Sequence, residues 1–151
     1  MICTGNICRS PTADGVLRHL VATAGLDERV TVDSAGTHDY HVGEAPDRRA
    51  IKHAAGRGYD LTPLRAREVR ANDFANFDLI LAMDAGHLQL LTRACPPVHR
   101  HKLKLFLEFA NQHHETEVPD PYYGGAAGFE HVLDLVEDGC QGVLAYIQRS
   151  L

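Results

Sequence analysis

Several features are scarce in this 151-residue chain, and each absence narrows what the protein can be. It has no tryptophan and no excess of positive charge. It also has no apolar run approaching the roughly 20 residues that span a bilayer. The net charge of -5 at pH 7 argues against nucleic-acid binding through bulk electrostatics, so attraction for an anionic ligand has to be local. The length and the 44% hydrophobic content predict one domain, residues 1–151, without membrane association.

Cysteine is also sparse, and its distribution excludes the common metal and disulfide patterns. The four cysteines form no CxxC pair, and the ten histidines have no partners at metal-ligand spacing, so we predict neither a metal nor another cofactor. Unpaired thiols and the lack of a signal-peptide pattern predict a cytoplasmic protein. Only Met1 and Ile2 precede Cys3, so we expect further strand residues upstream of Met1 in the complete protein.

The segment CTGNICRS, which starts at Cys3, is the most informative part of the sequence. It places the thiol of Cys3 and the guanidinium of Arg9 at the two ends of a short loop. Gly5 and Asn6 tolerate left-handed backbone angles, so the loop can turn successive N–H groups inward. Pro11 fits the first turn of a helix, whose positive end then faces a bound anion. The segment therefore predicts a phosphate-binding loop with a nucleophile at its floor.

The loop also favours the reactive form of the thiol. Only a thiolate attacks well, and inward amides, the helix end and Arg9 all favour that form of Cys3. The same donors can hold the equatorial oxygens of a reacting phosphoryl group. Ser10 can donate to the Cys3 sulfur or simply cap the helix. The residues expected to surround the phosphate are Thr4, Gly5, Asn6, Ile7, Cys8 and Ser10.

The loop resembles the signature of the low-molecular-weight protein tyrosine phosphatases, and further matching segments extend the resemblance over nearly the whole chain. These are residues 33–37, 42–43, 46–47, 66–67, 73–74, 83–84 and 120–123. The resemblance implies hydrolysis of phosphotyrosine through a phosphocysteine at Cys3. It implies that Asn6 holds a left-handed turn with help from Ser34. It also implies a protective disulfide between Cys3 and Cys8, although Cys8 can equally be a small packing residue.

A tyrosine ester requires a general acid, because the leaving phenolate has a pKa near 10 and needs a proton as the P–O bond breaks. Asp120 is the candidate. It lies between Pro119 and Pro121 in a stiff loop that can hold its carboxyl over the leaving oxygen. Taken alone, an Asp-Pro pair is usually only a turn, so the assignment depends on the resemblance.

Three tyrosines are available to line a slot for a phenyl ring: Tyr40, Tyr122 and Tyr123. A deep slot favours phosphotyrosine, since the side chain of phosphoserine is too short to reach its floor. Many relatives carry tryptophan where this chain has Tyr40. We expect this difference to affect substrate preference and not the reaction mechanism. The expected partner is a phosphotyrosine-containing protein or a small aryl phosphate, and we expect a monomer or weak dimer.

Three alternatives remain at this point. Arsenate reductases share the fold and a similar loop, but the thioredoxin-linked kind needs a further cysteine pair, and Cys95 has no close companion. Phosphoarginine phosphatases favour threonine where this chain has Ile7. A phosphate-binding module without activity would need neither Cys3 nor Asp120 in reactive positions.

The alternation of helical and extended patterns predicts an α/β fold. We expect about four parallel strands in a small sheet with helices on both faces, and the phosphate loop between the first strand and the first helix. Asp84 is expected to cap a helix. The predicted helices are 11–24, 47–55, 84–94 and 129–151, and the predicted strands after the first are 30–35, 77–83 and 102–107.

Overall fold

The computed structural model describes residues 1–151, and it contains one parallel sheet with helices packed on it. The strands are β1 (Ile2–Cys3), β2 (Ala35–Gly36), β3 (Ile80–Ala82) and β4 (Leu103–Leu105). The helices are α1 (Arg9–Thr23), α2 (Arg48–Ala55), α3 (Ala71–Asn76), α4 (Ala85–Ala94) and α5 (Ala126–Ser150). Two short 3-10 helices flank β4, at Pro97–Lys102 and Phe106–Phe109.

The predicted fold class is confirmed. All three strand pairs are parallel, in the order β2-β1-β3-β4. Ile2 pairs with Ala35 on one side and with Ala82 on the other, so β1 lies at the centre of the sheet. Its carboxyl end delivers Cys3 directly into the loop before α1, which is where open parallel sheets bind their ligands.

The strands are shorter than predicted. The segment 30–35 was expected to be a strand, but β2 begins only at Ala35. Ala35 pairs with Ile2, the first residue of β1. The predicted strand 77–83 is reduced to β3, and the predicted strand 102–107 ends when Phe106 begins a 3-10 helix.

Helix positions follow the sequence signals more closely. Asp47 caps α2 by accepting a 2.8 Å hydrogen bond from the Arg49 amide, and Asp84 caps α4 through the His87 amide at 2.9 Å. α1 begins at Arg9 rather than at residue 11, and α5 begins at Ala126 rather than at residue 129. The pattern did not predict α3 or the 3-10 helices. No helix combines the length and hydropathy needed to cross a membrane.

Side-chain alternation along the strands divides the core between the two faces of the sheet. Cys3, Leu81 and Met83 point into the larger cluster, which contains residues of α1 and α5. Ile2, Ile80 and Ala82 point into the smaller cluster, with Phe74 of α3 and Leu91 of α4. Helices therefore cover both faces, and the loop between β1 and α1 is held between two packed layers.

Candidate active site

Cys3 lies at the bottom of the loop between β1 and α1. It is 3% exposed, and its Sγ atom is 2.9 Å from the Oγ atom of Ser10. Asn6 Nδ2 donates a 2.7 Å hydrogen bond to the same Oγ. Because Ser10 accepts from Asn6, its hydroxyl proton is available to donate to the sulfur. This arrangement can stabilise negative charge on Cys3.

Asn6 holds the loop in its turned conformation. It is the only residue other than glycine with a positive φ, at 59°. Its side chain also donates to Ser34 Oγ at 3.0 Å, and its Oδ1 accepts from the Arg67 amide at 3.1 Å. Three bonds to separate segments thus fix a buried residue in a conformation that L-residues other than Asn and Asp rarely adopt.

The backbone carbonyls of the loop are tied to its surroundings. Cys3 O accepts from Thr37 N at 2.8 Å, Thr4 O from His38 N at 3.1 Å, and Ile7 O from Asp47 N at 2.8 Å. In a trans peptide the N–H points opposite to the C=O, so these bonds direct the amides of residues 4, 5 and 8 away from the supporting segments. The structure contains no cis peptide bond.

The amides of the loop are left without acceptors. No N–H of residues 4–8 makes a hydrogen bond within the protein, although most of the loop is buried. Buried backbone N–H groups are almost always paired, and a run of unpaired ones is typical of an anion-binding nest. Such a run makes the loop a candidate binding site for an oxyanion next to Cys3.

Arg9 joins this loop to two distant segments. The residue is 5% exposed, and its Nη1 donates to Asp84 Oδ2 at 2.9 Å and to the Val118 carbonyl at 3.1 Å. Its Nη2 lies 3.7 Å from Asp120 Oδ2. Burial alone would raise the pKa of Asp84, but the His87 amide and Arg9 hold the pKa of that carboxyl below its usual value. One edge of the guanidinium is thus fixed by an ionised partner.

Asp120 stands at the mouth of the site. About half of its side chain is exposed, and its Oδ1 accepts a 3.0 Å hydrogen bond from the Tyr122 amide. The preceding residues anchor the loop, since Val118 N donates to Met83 O at 2.8 Å and Glu117 Oε2 accepts from Ala85 N at 2.7 Å. A recess of about 390 Å³ opens here, lined by Arg9, Asp84, Glu117, Val118, Pro119 and Asp120.

A larger recess of about 780 Å³ lies elsewhere and contains none of Cys3, Arg9 and Asp120. Its lining is mainly apolar and runs from Met1 along residues 29–34 and 76–81 to the end of α5. It contains neither the Cys3 thiol nor the loop of unpaired amides. The chemistry of the site, rather than cavity size, therefore identifies the loop at Cys3 as the candidate active site.

The three tyrosines are placed differently from one another. Tyr122 is partly exposed and lies under the guanidinium of Arg49, 5.5 Å from the ring centroid. Tyr40 is exposed and stacks on His38, whose amide binds the loop. Tyr123 is 93% exposed and contacts the ring of Tyr122 edge-on. Tyr122 is thus held in place beside Asp120, whereas Tyr123 is largely free in solvent.

Cys8 lies on the same loop but in a different chemical state from an activated thiol. It is 6% exposed, and burial, followed by the nearby Asp47 carboxylate, raises the pKa of its thiol to about 12. All four cysteines are free. No group of three or more His, Cys, Asp or Glu side chains is positioned to hold a metal ion.

Comparison with known proteins agrees with this geometry. The model of the family described as low molecular weight phosphotyrosine protein phosphatase matches residues 1–151. The chain belongs to this family. A low molecular weight phosphotyrosine protein phosphatase of Schizosaccharomyces pombe is 45% identical, with 97% of this chain and 94% of that protein covered. A low molecular weight protein-tyrosine-phosphatase of Streptomyces coelicolor is 42% identical, with 99% and 93% covered.

Solved structures of such phosphatases have the same fold. A protein tyrosine phosphatase from Entamoeba histolytica, crystallised with Hepes in the active site, superposes with a TM-score of 0.96. It is 40% identical, and the match covers 99% of this chain and 95% of that one. Arsenate reductase and phosphoarginine phosphatase, which the sequence left open, are not favoured by these comparisons.

Several neighbours of the loop in this phosphatase were not predicted from its sequence. They include the partner of Arg9 on α4, the histidine beside Thr4, and Gly36. A Cβ atom at Gly36 would lie only 2.5 Å from the Thr4 carbonyl oxygen, so β2 can approach the loop only without a side chain there. A glycine directly after a predicted strand is a weak signal, and nothing in the local sequence indicates the other two contacts.

Proposed function

We propose that this phosphatase hydrolyses phosphotyrosine in two steps, with Cys3 as nucleophile, Arg9 as phosphate ligand and Asp120 as general acid and base. The observation that carries the proposal is the run of unpaired amides over residues 4–8, closed by Arg9 and lying above the Cys3 sulfur. Asp120 lies beside Arg9, on the side where a leaving group would depart. Residues 1–151 form the catalytic domain in this proposal.

In the first step, the Cys3 thiolate attacks phosphorus and the bond from phosphorus to the phenolic oxygen breaks. Asp120 gives its proton to that oxygen, which leaves as neutral phenol. The exposure of the Asp120 side chain lets a leaving group reach it without rearrangement of the loop. The product is a phosphocysteine at Cys3 and an ionised Asp120.

In the second step, water attacks the phosphocysteine and Asp120 takes its proton, so the acid is restored. The sulfur–phosphorus bond breaks and the thiolate of Cys3 returns. Ser10 supports this departure, because its hydroxyl lies 2.9 Å from the sulfur and its oxygen already accepts from Asn6. Inorganic phosphate then leaves the cradle.

The cradle supplies most of the rate acceleration in this scheme. Charge on the transferring phosphoryl group is spread over its equatorial oxygens, and fixed amides and a guanidinium bind it without reorganisation. The carbonyl bonds of Cys3, Thr4 and Ile7 hold those amides before substrate arrives. Removing one such donor in other enzymes costs about 10² to 10³ in kcat.

Substrate choice follows from the walls around this cradle. Tyr122, held under Arg49, and Tyr40, stacked on His38, are suited to contact the two faces of a phenyl ring. Tyr123 has too little fixed packing to define the slot, so we assign it to the rim. A phosphotyrosine-containing protein or a small aryl phosphate fits this arrangement. The cytoplasmic location and the monomeric or weakly dimeric state stay predictions.

Three variants test the assignment. Cys3→Ser is expected to abolish turnover of phosphotyrosine with little change in thermal unfolding. Asp120→Asn is expected to lower kcat by about 10² to 10⁴ on phosphotyrosine. The matched control is Asp27→Asn, a change at an exposed aspartate outside the site, which should retain the wild-type rate. Full activity in Asp120→Asn would contradict the acid assignment, and turnover in Cys3→Ser would contradict the nucleophile.

We also propose that Cys8 protects Cys3 during oxidation. A sulfenic acid at Cys3 would condense with the Cys8 thiol to give a disulfide and water, which a dithiol can reduce again. The buried, protonated Cys8 stays inert until that moment. Peroxide should inactivate the wild type reversibly and Cys8→Ala irreversibly. Equal recovery of both proteins after addition of dithiol would contradict the protective disulfide.

A further inference from the structure

His87 is a buried histidine that contacts the phosphate loop from outside. It is the third residue of α4 and only 4% exposed. Its Nε2 lies 2.8 Å from Thr4 Oγ1, 83 positions away in the sequence. Its Nδ1 is buried, makes no hydrogen bond, and lies 3.1 Å from Asp84 Oδ1. The ring thus stands between the loop that holds the phosphate and the carboxylate that holds Arg9.

The surroundings decide the tautomer of this ring. Burial lowers the pKa of His87 to about 4, even though the Asp84 and Asp120 carboxylates favour its charged form and Arg9 and His38 oppose it. The ring is therefore neutral at pH 7 and carries one proton. A lone pair on Nδ1 would face the Asp84 carboxylate at 3.1 Å, so the proton is assigned to Nδ1, although this N–H is not aligned for a hydrogen bond. Nε2 is then an acceptor, and the Thr4 hydroxyl donates to it.

This bond fixes Thr4 from a second side. The Thr4 carbonyl already accepts from the His38 amide, which directs the Gly5 N–H away from that support. The hydroxyl bond to His87 adds a restraint on the side chain of the same residue. Asp84, the other neighbour of His87, binds Nη1 of Arg9 at 2.9 Å. The His87 ring therefore contacts both Thr4, which belongs to the phosphate loop, and Asp84, which binds the guanidinium of Arg9.

We propose that His87 is a positioning residue for phosphoryl transfer, acting through Thr4 and Asp84 to fix the loop amides and Arg9 in their anion-binding orientation. The inference rests on the proposed function of this loop. An apolar side chain of similar size would fill the same space, so packing alone does not require a histidine here. An apolar side chain would also leave the Thr4 hydroxyl without the acceptor that His87 provides.

A double-mutant cycle tests the pair. Thr4→Val removes the hydroxyl but keeps the shape, and His87→Leu removes the acceptor. Thr4→Ser and His87→Gln are matched variants, since serine keeps the hydroxyl and the glutamine oxygen can reach the place of Nε2. We expect each of the first two to lower kcat/KM on an aryl phosphate about five- to tenfold, and their combination to cost no more than either alone. The matched variants should lose clearly less activity than Thr4→Val and His87→Leu, because each keeps the hydrogen bond between the two positions.

A second measurement separates this inference from the proposed function. Tungstate binding is measured by calorimetry for the same variants on a Cys3→Ser background, where no turnover is needed. The dissociation constant should rise about fivefold in Thr4→Val and His87→Leu, and recover in Thr4→Ser and His87→Gln. Failure of wild-type protein to hydrolyse phosphotyrosine would contradict the proposed function, whereas the tungstate series still decides the role of His87.

The tautomer gives a readout that a packing role would not change. ¹⁵N NMR of the wild type should show His87 Nε2 unprotonated and Nδ1 protonated, and Thr4→Val should shift this balance. A protonated Nε2 in the wild type would overturn the inference. So would multiplicative effects in the double mutant, or variants with lower melting temperatures whose tungstate affinity stays within about twofold of wild type.

Discussion

Arg9 Nη1 donates to Asp84 Oδ2 at 2.9 Å, across 75 positions of the sequence. The same nitrogen donates to the Val118 carbonyl, two residues before Asp120. The guanidinium is therefore held along one edge before a phosphate arrives, and its Nη2 faces the side of Asp120. A planar fork held in this way loses little conformational freedom when it binds a second anion.

Replacing Asp84 by asparagine should separate the orientation of Arg9 from anion affinity. Asparagine also caps helices well and keeps an acceptor oxygen, but it removes the charge that holds Arg9. We expect kcat to fall about tenfold, while the inhibition constant for phosphate changes less than about threefold, because a competing negative charge is also lost. Asp84→Ala, which also loses the cap, should in addition lower the free energy of unfolding by about 1 kcal/mol. Unchanged kcat in Asp84→Asn would show that Arg9 needs no such support.

The parts of the site that the sequence predicts are those encoded within a few residues. Asn6 at a left-handed turn, Pro11 in the first helical turn and Asp84 at a helix start all act on their own neighbours, so local chemistry identifies them. The pairing of Arg9 with Asp84 and of Thr4 with His87 depends on which segments the fold brings together. No periodicity or turn signal contains that information.

Strand lengths are also difficult to predict from local sequence. Val30 and Val32 have the composition of a strand, yet β2 consists only of Ala35 and Gly36. Whether an extended segment becomes a strand depends on its neighbour in space, not on its own side chains. Helices form their backbone hydrogen bonds within one segment. For this reason the sequence predicts α1, α2 and α4 to within two residues at each end.

Substitutions at Asn6 should show how much its hydrogen bonds and its left-handed backbone conformation contribute to the free energy of unfolding. Asn6→Ala removes three hydrogen bonds and leaves an ordinary L-residue at positive φ, so the free energy of unfolding should fall by about 3 kcal/mol. Asn6→Gly also loses the bonds but tolerates the backbone angle, and should be about 1 kcal/mol more stable than Asn6→Ala. Denaturant unfolding measures both. Equal stability of the two variants would mean that the left-handed backbone is not strained for alanine.

Gly36 should be required for activity because of its distance from the loop. A Cβ atom there would lie 2.5 Å from Thr4 O and 3.0 Å from His38 O, so Gly36→Ala has to displace the cradle. Small displacements of a positioning group cost up to about 10² in rate, and we expect kcat/KM to fall at least tenfold. The control is Gly128→Ala inside α5, where the added methyl meets only ordinary contacts. That variant should keep full activity and gain about 0.5 to 1 kcal/mol in stability. Wild-type kcat/KM in Gly36→Ala would contradict the close approach.

Asp138 should stabilise the segment that leads to the acid loop. Its carboxylate accepts from the amides of Asn111, Gln112 and His113 at 2.8 to 2.9 Å and from His113 Nδ1 at 2.8 Å. Asp138→Asn replaces one acceptor by a donor facing those N–H groups, and should cost about 2 kcal/mol. Hydrogen exchange at residues 111–113 should accelerate. Glu115→Gln, which weakens an exposed pair with His131, should change stability by less than about 0.5 kcal/mol. Protected amides in Asp138→Asn would contradict this role.

The free energy of unfolding should depend on pH through His87, in a pH range higher than the one in which the carboxylates are protonated. The pKa of His87 is about 4 in the folded protein, against about 6.5 when unfolded. Between these values the unfolded state binds more protons, so the free energy of unfolding falls as pH falls from about 6.5 to 4, by roughly 2.5 kcal/mol. Carboxylates such as Asp138, whose pKa is lowered, lose their contribution mainly below that range. His87→Gln should therefore lose less stability than wild type between pH 6.5 and 4.5, whereas His114→Gln, at an exposed histidine, should follow the wild-type curve. Parallel curves for wild type and His87→Gln in denaturant titrations would show that His87 binds its proton equally well in both states, and the neutral, buried acceptor inferred beside Thr4 would be wrong.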